Sequence, residues 1–243
     1  MSVVLTIASK EIHGYFKSYM AYILLGVYLL ISMGAVFYSA YFFEYNNRNL
    51  ISFFIYQPNI LNILLPAVTM KVWAEEKRYG TLEFLLTQPV SYKKLVLGKF
   101  LAAWSFSVLM LLMTIPFAVY SNFLIPLDLE NVCAAYIAEI IVMGAFCALG
   151  CLISACNSNV IIAYLTTVLG GWVWQNVNFN AILYYFKNLF PMLKSRLDGV
   201  LNFSEYYQQM IQGQMGIETI VYFGGIIFFS LWLNIIIIGW RKG

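Results

Sequence analysis

The chain has 243 residues, of which 62% are apolar, 18% aromatic and only 10% charged, with a net charge of +3. Soluble domains are about half apolar and about a quarter charged, so a mean hydropathy of +0.78 argues against a water-soluble domain and makes lipid the solvent for most of the chain. The small charge without a basic stripe argues against a nucleic-acid partner, and four cysteines confined to one apolar segment (Cys133, Cys147, Cys151 and Cys156) do not read as a disulfide framework.

Residues 3–17 place Leu5, Ala8, Ile12, Tyr15 and Phe16 on one helical face and Thr6, Ser9, Lys10, His13 and Lys17 on the other. Such a helix lies in the membrane interface, and His13, the only histidine, falls on its polar face. A bilayer core of about 30 Å needs about 20 mainly apolar residues to cross it. Six segments answer to that measure: 19–43, 56–73, 96–120, 132–154, 160–177 and 220–240. None alternates like a barrel strand, so the fold is predicted to be all-α, a polytopic membrane protein with six transmembrane helices. The first apolar run exceeds the roughly 7 to 15 residues of a signal-peptide core and is expected to remain as an anchor.

Between the second and third spans, residues 75–94 form an unusually charged connector. Eight of the chain's 25 acidic and basic residues fall between Glu75 and Lys99. Gly80 is expected to interrupt the preceding helix, Thr81 to cap a new one and Glu83 to place negative charge in its first turn. Leu82, Leu85 and Leu86 then share one face, Pro89 stops the helix and Ser91 can cap the next. A short cytoplasmic helix that carries Leu82, Phe84, Leu85 and Leu86 and is rimmed by Glu75, Glu76, Lys77, Arg78, Lys93 and Lys94 is either a surface for docking on a protein groove or an amphipathic turn resting on the bilayer.

Pro66, Pro116 and Pro126 read as kinks or span ends. In the fourth span, Glu139 is an ionisable group about two turns from the outer end, and so a candidate for the substrate path or for proton uptake. Alternatively it reaches water or a partner such as Tyr136. Cys133, Cys147 and Cys151 lie near one face of that helix beside Gly144. Soft thiolates would suit a metal path, but Gly144-x-x-x-Ala148 and Cys147-x-x-x-Cys151 more readily serve close helix packing. The aromatic-rich outer loop 178–216 is predicted to carry surface helices at 181–190 and 205–211, with Asn202 and Glu205 spaced as a capping box. The sequon beginning at Asn202 is taken as chance.

If both termini face the cytoplasm, that side receives Lys10, Lys17, Lys71, Lys77, Arg78, Lys93, Lys94, Lys99, Arg241 and Lys242, against Arg48, Lys187, Lys194 and Arg196 outside. The asymmetry of basic residues therefore places the N-terminus inside.

The stretches WAEEKRYGTLE at 73–83, LLTQPVS at 85–91 and LGKF at 97–100 closely resemble the signature region of type-2 ATP-binding-cassette (ABC) exporter permeases. Weaker likenesses at 149–164 and 222–233 resemble the gliding-motility and copper-enzyme-maturation branch. The resemblance implies one permease domain over 1–243, paired with a second permease as homodimer or paralogous heterodimer. Each would present its N-terminal helix and connector to a separate ABC ATPase, two copies in all, in a bacterial cytoplasmic membrane. It assigns Glu75, Glu76, Gly80, Thr81, Glu83, Pro89 and Ser91 to the coupling element, to which the pattern adds Leu82, Leu85 and Leu86. The chain has no G-x-x-x-x-G-K-[ST] phosphate loop, since Gly98-Lys99 is followed by Phe100. It is therefore expected to be a non-catalytic subunit binding no cofactor directly, with ATP and Mg used by the ATPase.

Two other classes compete. A proton-coupled secondary transporter would work through Glu139 and would ordinarily show two related halves, which the sequence lacks. An intramembrane enzyme would need convergent nucleophile and base residues, and Glu139 has no such companion. The transported substrate is not written in the sequence.

Overall fold

The structure is a computed structural model, and it describes residues 3–38, 50–87, 90–124, 127–176 and 202–240. Every regular element among the described residues is helical, as expected where backbone groups have no water to bond. In chain order the helices are α1 (Val3–Lys17), α2 (Tyr19–Tyr38), α3 (Ile51–Ile55), α4 (Gln57–Thr69), α5 (Lys71–Arg78) and α6 (Thr81–Thr87). They continue with α7 (Tyr92–Leu112), α8 (Ile115–Leu124), α9 (Leu129–Cys156), α10 (Val160–Asn176), α11 (Phe203–Ile211) and α12 (Ile217–Trp240).

Four stretches are long and apolar enough to cross a membrane: Tyr19–Val36, Tyr92–Leu124, Leu129–Cys156 and Ile217–Trp240. The other two expected spans are shorter helices. The second divides at Met70 into α4 and α5, four residues after Pro66, which cannot donate a backbone bond inside α4. The fifth, α10, has 17 residues and rises about 26 Å, short of the core thickness of about 30 Å. The third span also divides, at Met113 and Thr114. Pro116 is the second residue of α8, where its missing N–H costs no hydrogen bond. Pro126 lies outside the described residues.

The 28-residue α9 is the centre of the bundle, packing on α12, α4, α10, α7, α11 and α5. Its centrality follows from small residues along its length. Ala138, Ala145, Cys147, Ala148 and Ala155 are fully buried, and Gly144 sits against the Trp104 ring of α7 and Ile227 of α12. The cysteines divide in the same way. Cys147 and Cys151 are buried, with the Cys147 Sγ 3.2 Å from Ser107 Oγ of α7, whereas Cys133 and Cys156 are exposed.

The N-terminal helix α1 lies along α7. Lys10, His13 and Lys17 point outward as expected, but Leu5 is also exposed and Glu11 turns partly inward. The 203–211 segment differs more from expectation. It is a helix, but Phe203, Tyr206, Tyr207, Met210 and Ile211 are buried, so one face is sunk into the bundle instead of resting on a surface. Trp174 and Phe223 form the seat for Phe203, with the Trp174 and Phe203 rings 4.9 Å apart. Asn202 occupies the N-cap position without capping; its amide donates to Glu205 Oε1 at 2.9 Å. The expected helix at 181–190 lies outside the described residues.

Candidate coupling site

The connector is two helices meeting at a glycine. Gly80 has φ +70°, left-handed geometry that a glycine adopts without strain and that commonly ends a helix. It closes α5 and lets α6 leave in a new direction. Thr81 does not cap α6; its hydroxyl donates back to the Glu76 carbonyl at 3.3 Å, tying α6 to α5. Glu83 sits in the first turn of α6, where the helix dipole favours it. Ser91 occupies the N-cap of α7 with extended backbone but no side-chain bond. Pro89 lies outside the described residues.

The leucine face of α6 is turned toward the protein's own core. Leu82 and Leu86 are buried and Leu85, partly buried, packs against the core. The apolar groups left facing outward are Tyr79 and Phe84, 68% and 70% exposed, beside exposed Arg78 and Glu83. A helical wheel identifies which residues share a face, but which face is covered depends on neighbours distant in sequence.

Lys99 fastens the connector to the bundle. Its side chain is 3% exposed, and its ammonium lies 3.0 Å from Glu11 Oε1 of α1 and 2.7 Å from Glu76 Oε1 of α5. It donates a third bond to the Val72 carbonyl at 3.2 Å and lies 5.2 Å from the centre of the Trp73 ring. All three ammonium protons thus have acceptors, the condition under which a buried cation is tolerated. Burial pushes the Glu76 carboxyl above the ordinary glutamate range, and the Lys99 charge opposes that rise. Next to Lys99, Gly98 makes the α1 contact achievable, because a Cβ there would come within 2.8 Å of Ile7 Cβ and 3.2 Å of the Val4 carbonyl.

A second fastening comes from the end of α9. Ser154 Oγ accepts from the N–H groups of Trp73 and Ala74, each at 3.2 Å, and donates to the Met70 carbonyl at 2.9 Å. It thereby satisfies backbone groups freed where α4 gives way to α5. Lys77 Nζ donates to the Ala155 carbonyl. A cavity of about 530 Å³ opens between α1, α4, α5 and α7, lined by Glu11, Tyr15, Lys71, Glu75, Glu76 and Lys99 among others.

Glu139 sits toward the opposite end of α9 and is completely buried. Its Oε2 lies 2.6 Å from the Tyr207 hydroxyl, so its partner is on α11. Tyr136 instead meets Thr114 at 3.0 Å. Glu139 lines none of the cavities described here.

Comparison with known families matches residues 5–208 to the family described as ABC-2 family transporter protein. The chain belongs to the ABC-2 transporter family. No curated protein matches it. Membership makes it the permease component of an ABC transporter, a multi-pass membrane protein of a family whose members are generally non-catalytic and associate with an ABC ATPase. The ABC-2 match runs from α1 into α11 and so takes in the whole connector and both fastenings.

Of the residues expected to couple this ABC-2 permease, Glu76, Gly80 and Thr81 hold the connector's shape. Leu82 and Leu86 anchor it, Glu83 is at its exposed face and Glu75 lines the cavity. Sequence reading counted Phe84 among the connector's apolar anchors but missed Glu11, Ser154 and Tyr79 as parts of the site, and it took Lys99 only as part of a motif and a topology charge. Glu11 had one available signal: it is an acidic residue within an otherwise basic polar pattern in α1.

Proposed function

We propose that this chain is the membrane-spanning permease of an ATP-driven exporter, passing the stroke of a separate ABC ATPase to a transport path across the bacterial cytoplasmic membrane. Two ATPase subunits and a second permease, an identical copy or a paralogue, complete the assembly, and ATP and Mg are used in the ATPases. In this reading the chain crosses six times with both termini in the cytoplasm. The short α4 and α10 are accommodated by continuation into α5 and by local thinning of the bilayer. The weaker likenesses at 149–164 and 222–233 favour the gliding-motility and copper-enzyme-maturation branch.

The observation that carries the reading is the connector, which exposes Tyr79 and Phe84 beside Glu83 and Arg78 while being tied to α1, α7 and α9 through Lys99 and Ser154. Exposed aromatics flanked by charge are what a docking hot spot needs. The ties mean that a push on α6 reaches three helices together. Nucleotide-driven closure of the ATPases then moves the connectors and tilts the spans between inward-open and outward-open states. Glu139 enters the substrate path in this scheme only when α11 moves away from α9.

The test is co-purification of the full-length permease with its ABC ATPase. Phe84→Asp is expected to lose the ATPase while the permease remains folded in the membrane, because Phe84 does not contribute to the core. Retention of the ATPase by a Tyr79→Asp and Phe84→Asp double variant would refute docking on α6. Full transport with an ATPase that cannot hydrolyse ATP would refute the exporter reading. If that transport followed the proton gradient, it would favour the proton-coupled alternative.

A further inference from the structure

Tyr207 holds two oxygens with one hydroxyl. Its oxygen lies 2.6 Å from Glu139 Oε2 of α9 and 2.7 Å from the Phe54 carbonyl of α3. Both are hydrogen-bond distances, a backbone carbonyl can only accept, and a phenol has one proton to give. If Glu139 were ionised, the three oxygens would share one proton, and one of the two contacts would set lone pair against lone pair. If Glu139 carries a proton, its O–H donates to the Tyr207 oxygen and the Tyr207 O–H donates to Phe54. Both contacts are then true hydrogen bonds.

Among the described residues nothing else balances the carboxylate. Glu139 is 0% exposed, its Oε1 has no hydrogen-bond partner, and no lysine or arginine among the described residues forms an ion pair with it. Lys99 and the charged residues of α5 sit at the Ser154 end of α9, about 15 residues and about 22 Å along the helix from Glu139. Among the described residues, the titratable groups near Glu139 are the phenols Tyr28 on α2, Tyr136 on α9 and Tyr207 on α11. Tyr28 already donates to Gln57 Oε1 of α4 at 3.1 Å. No charged side chain of α3, α4, α7, α10 or α12 bonds to Glu139.

A route for the proton is also present. A cavity of about 140 Å³ between the start of α4, the end of α10 and α11 is lined by Asn59, Gln175, Ser204, Gln208 and Tyr207. It is large and polar enough to hold water. Tyr207 is the residue that both lines this cavity and touches Glu139.

We propose that Glu139 and Tyr207 form a proton-binding site, reached from the cavity at the end of the bundle away from the connector, whose bound proton fastens α11 to α9 and α3. Loss of the proton breaks the Glu139 O–H bond, leaves the electron pair on the carboxylate and delivers the proton to water in the cavity. The Tyr207 hydroxyl must then turn to the carboxylate, Phe54 is left without its donor, and α11 loosens. The fastening is therefore complete at lower pH and weakens as pH rises.

The experiment uses the full chain in lipid nanodiscs. Infrared difference spectra between wild type and Glu139→Gln are expected to show the carbonyl stretch of a protonated carboxylic acid at neutral pH, and a carboxylate signal alone would overturn the proposal. Hydrogen exchange of residues 203–211 supplies the second arm. Wild-type protection is expected to fall about tenfold as pH is raised, beyond the intrinsic rise in exchange. Glu139→Gln, neutral at every pH and able to donate its amide to the Tyr207 oxygen, should keep its protection. Tyr207→Phe should lack the extra protection throughout. Identical pH profiles for wild type and Glu139→Gln would overturn the idea even with all proteins folded.

Discussion

Replacing Lys99 by Met keeps most of the side-chain volume but removes the cation shared by Glu11 and Glu76. The two carboxylates are not equally affected. Glu11 is 31% exposed and can turn to water, so its share is that of a surface pair, about 1 kcal/mol or less. Glu76 is 19% exposed and its Oε2 already has no partner, so after the substitution it is a largely unpaired buried charge. Breaking a buried pair from one side costs about 3–5 kcal/mol, and the partial exposure of Glu76 places the total near the lower end, about 3 kcal/mol. The loss has a pH signature. Burial already raises the Glu76 carboxyl and Lys99 is the largest influence holding it down, so without Lys99 it gains a proton more readily. The variant's deficit relative to wild type should therefore shrink as pH falls from neutral and grow as it rises. Equilibrium unfolding in bicelles at pH 7 and at mildly acidic pH reads both effects. A Lys99→Met and Glu76→Gln double variant should recover much of the loss. A single variant as stable as wild type, or a double variant no better than the single, would refute the assignment of Lys99 as the fastening between α1, α5 and α7.

Gly98→Val is expected to push α1 off α7, since its Cβ would be in steric conflict with the Ile7 side chain. Overpacking of this kind costs about 1–3 kcal/mol and should appear as faster hydrogen exchange confined to residues 3–17. Ser154→Ala removes the acceptor for the Trp73 and Ala74 N–H groups and the donor to Met70. Leaving such groups unpaired costs about 1–3 kcal/mol, and faster exchange should map to residues 70–78 with α12 unchanged.

The all-helical fold and the connector's punctuation were legible because they are local. Gly80 ends a helix through its own backbone, and Pro66 and Pro116 mark places where a helix must yield. The environment of the connector was not legible. Leu82 and Leu86 share a face whether that face meets a partner or the core, and the deciding contacts come from residues far along the chain. The same limit hid the Glu139 partner, which lies 68 residues away on a helix whose aromatics look equally suited to a membrane surface. Side-chain capping was overread at Thr81, Ser91 and Asn202. Ser91 and Asn202 stand at cap positions, but Ser91 forms no side-chain cap and Asn202 bonds Glu205, while Thr81 is already the first residue of α6 and bonds backward along the connector.

α9 extends through the bundle for 28 residues without a proline, about 42 Å at the helical rise. Its backbone cannot shorten or lengthen appreciably without giving up hydrogen bonds. It therefore behaves as a stiff strut, engaged by Met70, Trp73 and Ala74 at one extremity and by Tyr207 near the other. An axial slip imposed on the Ser154 hydroxyl must reach the Glu139 carboxyl nearly undiminished, although no atom near one contact touches any atom near the other.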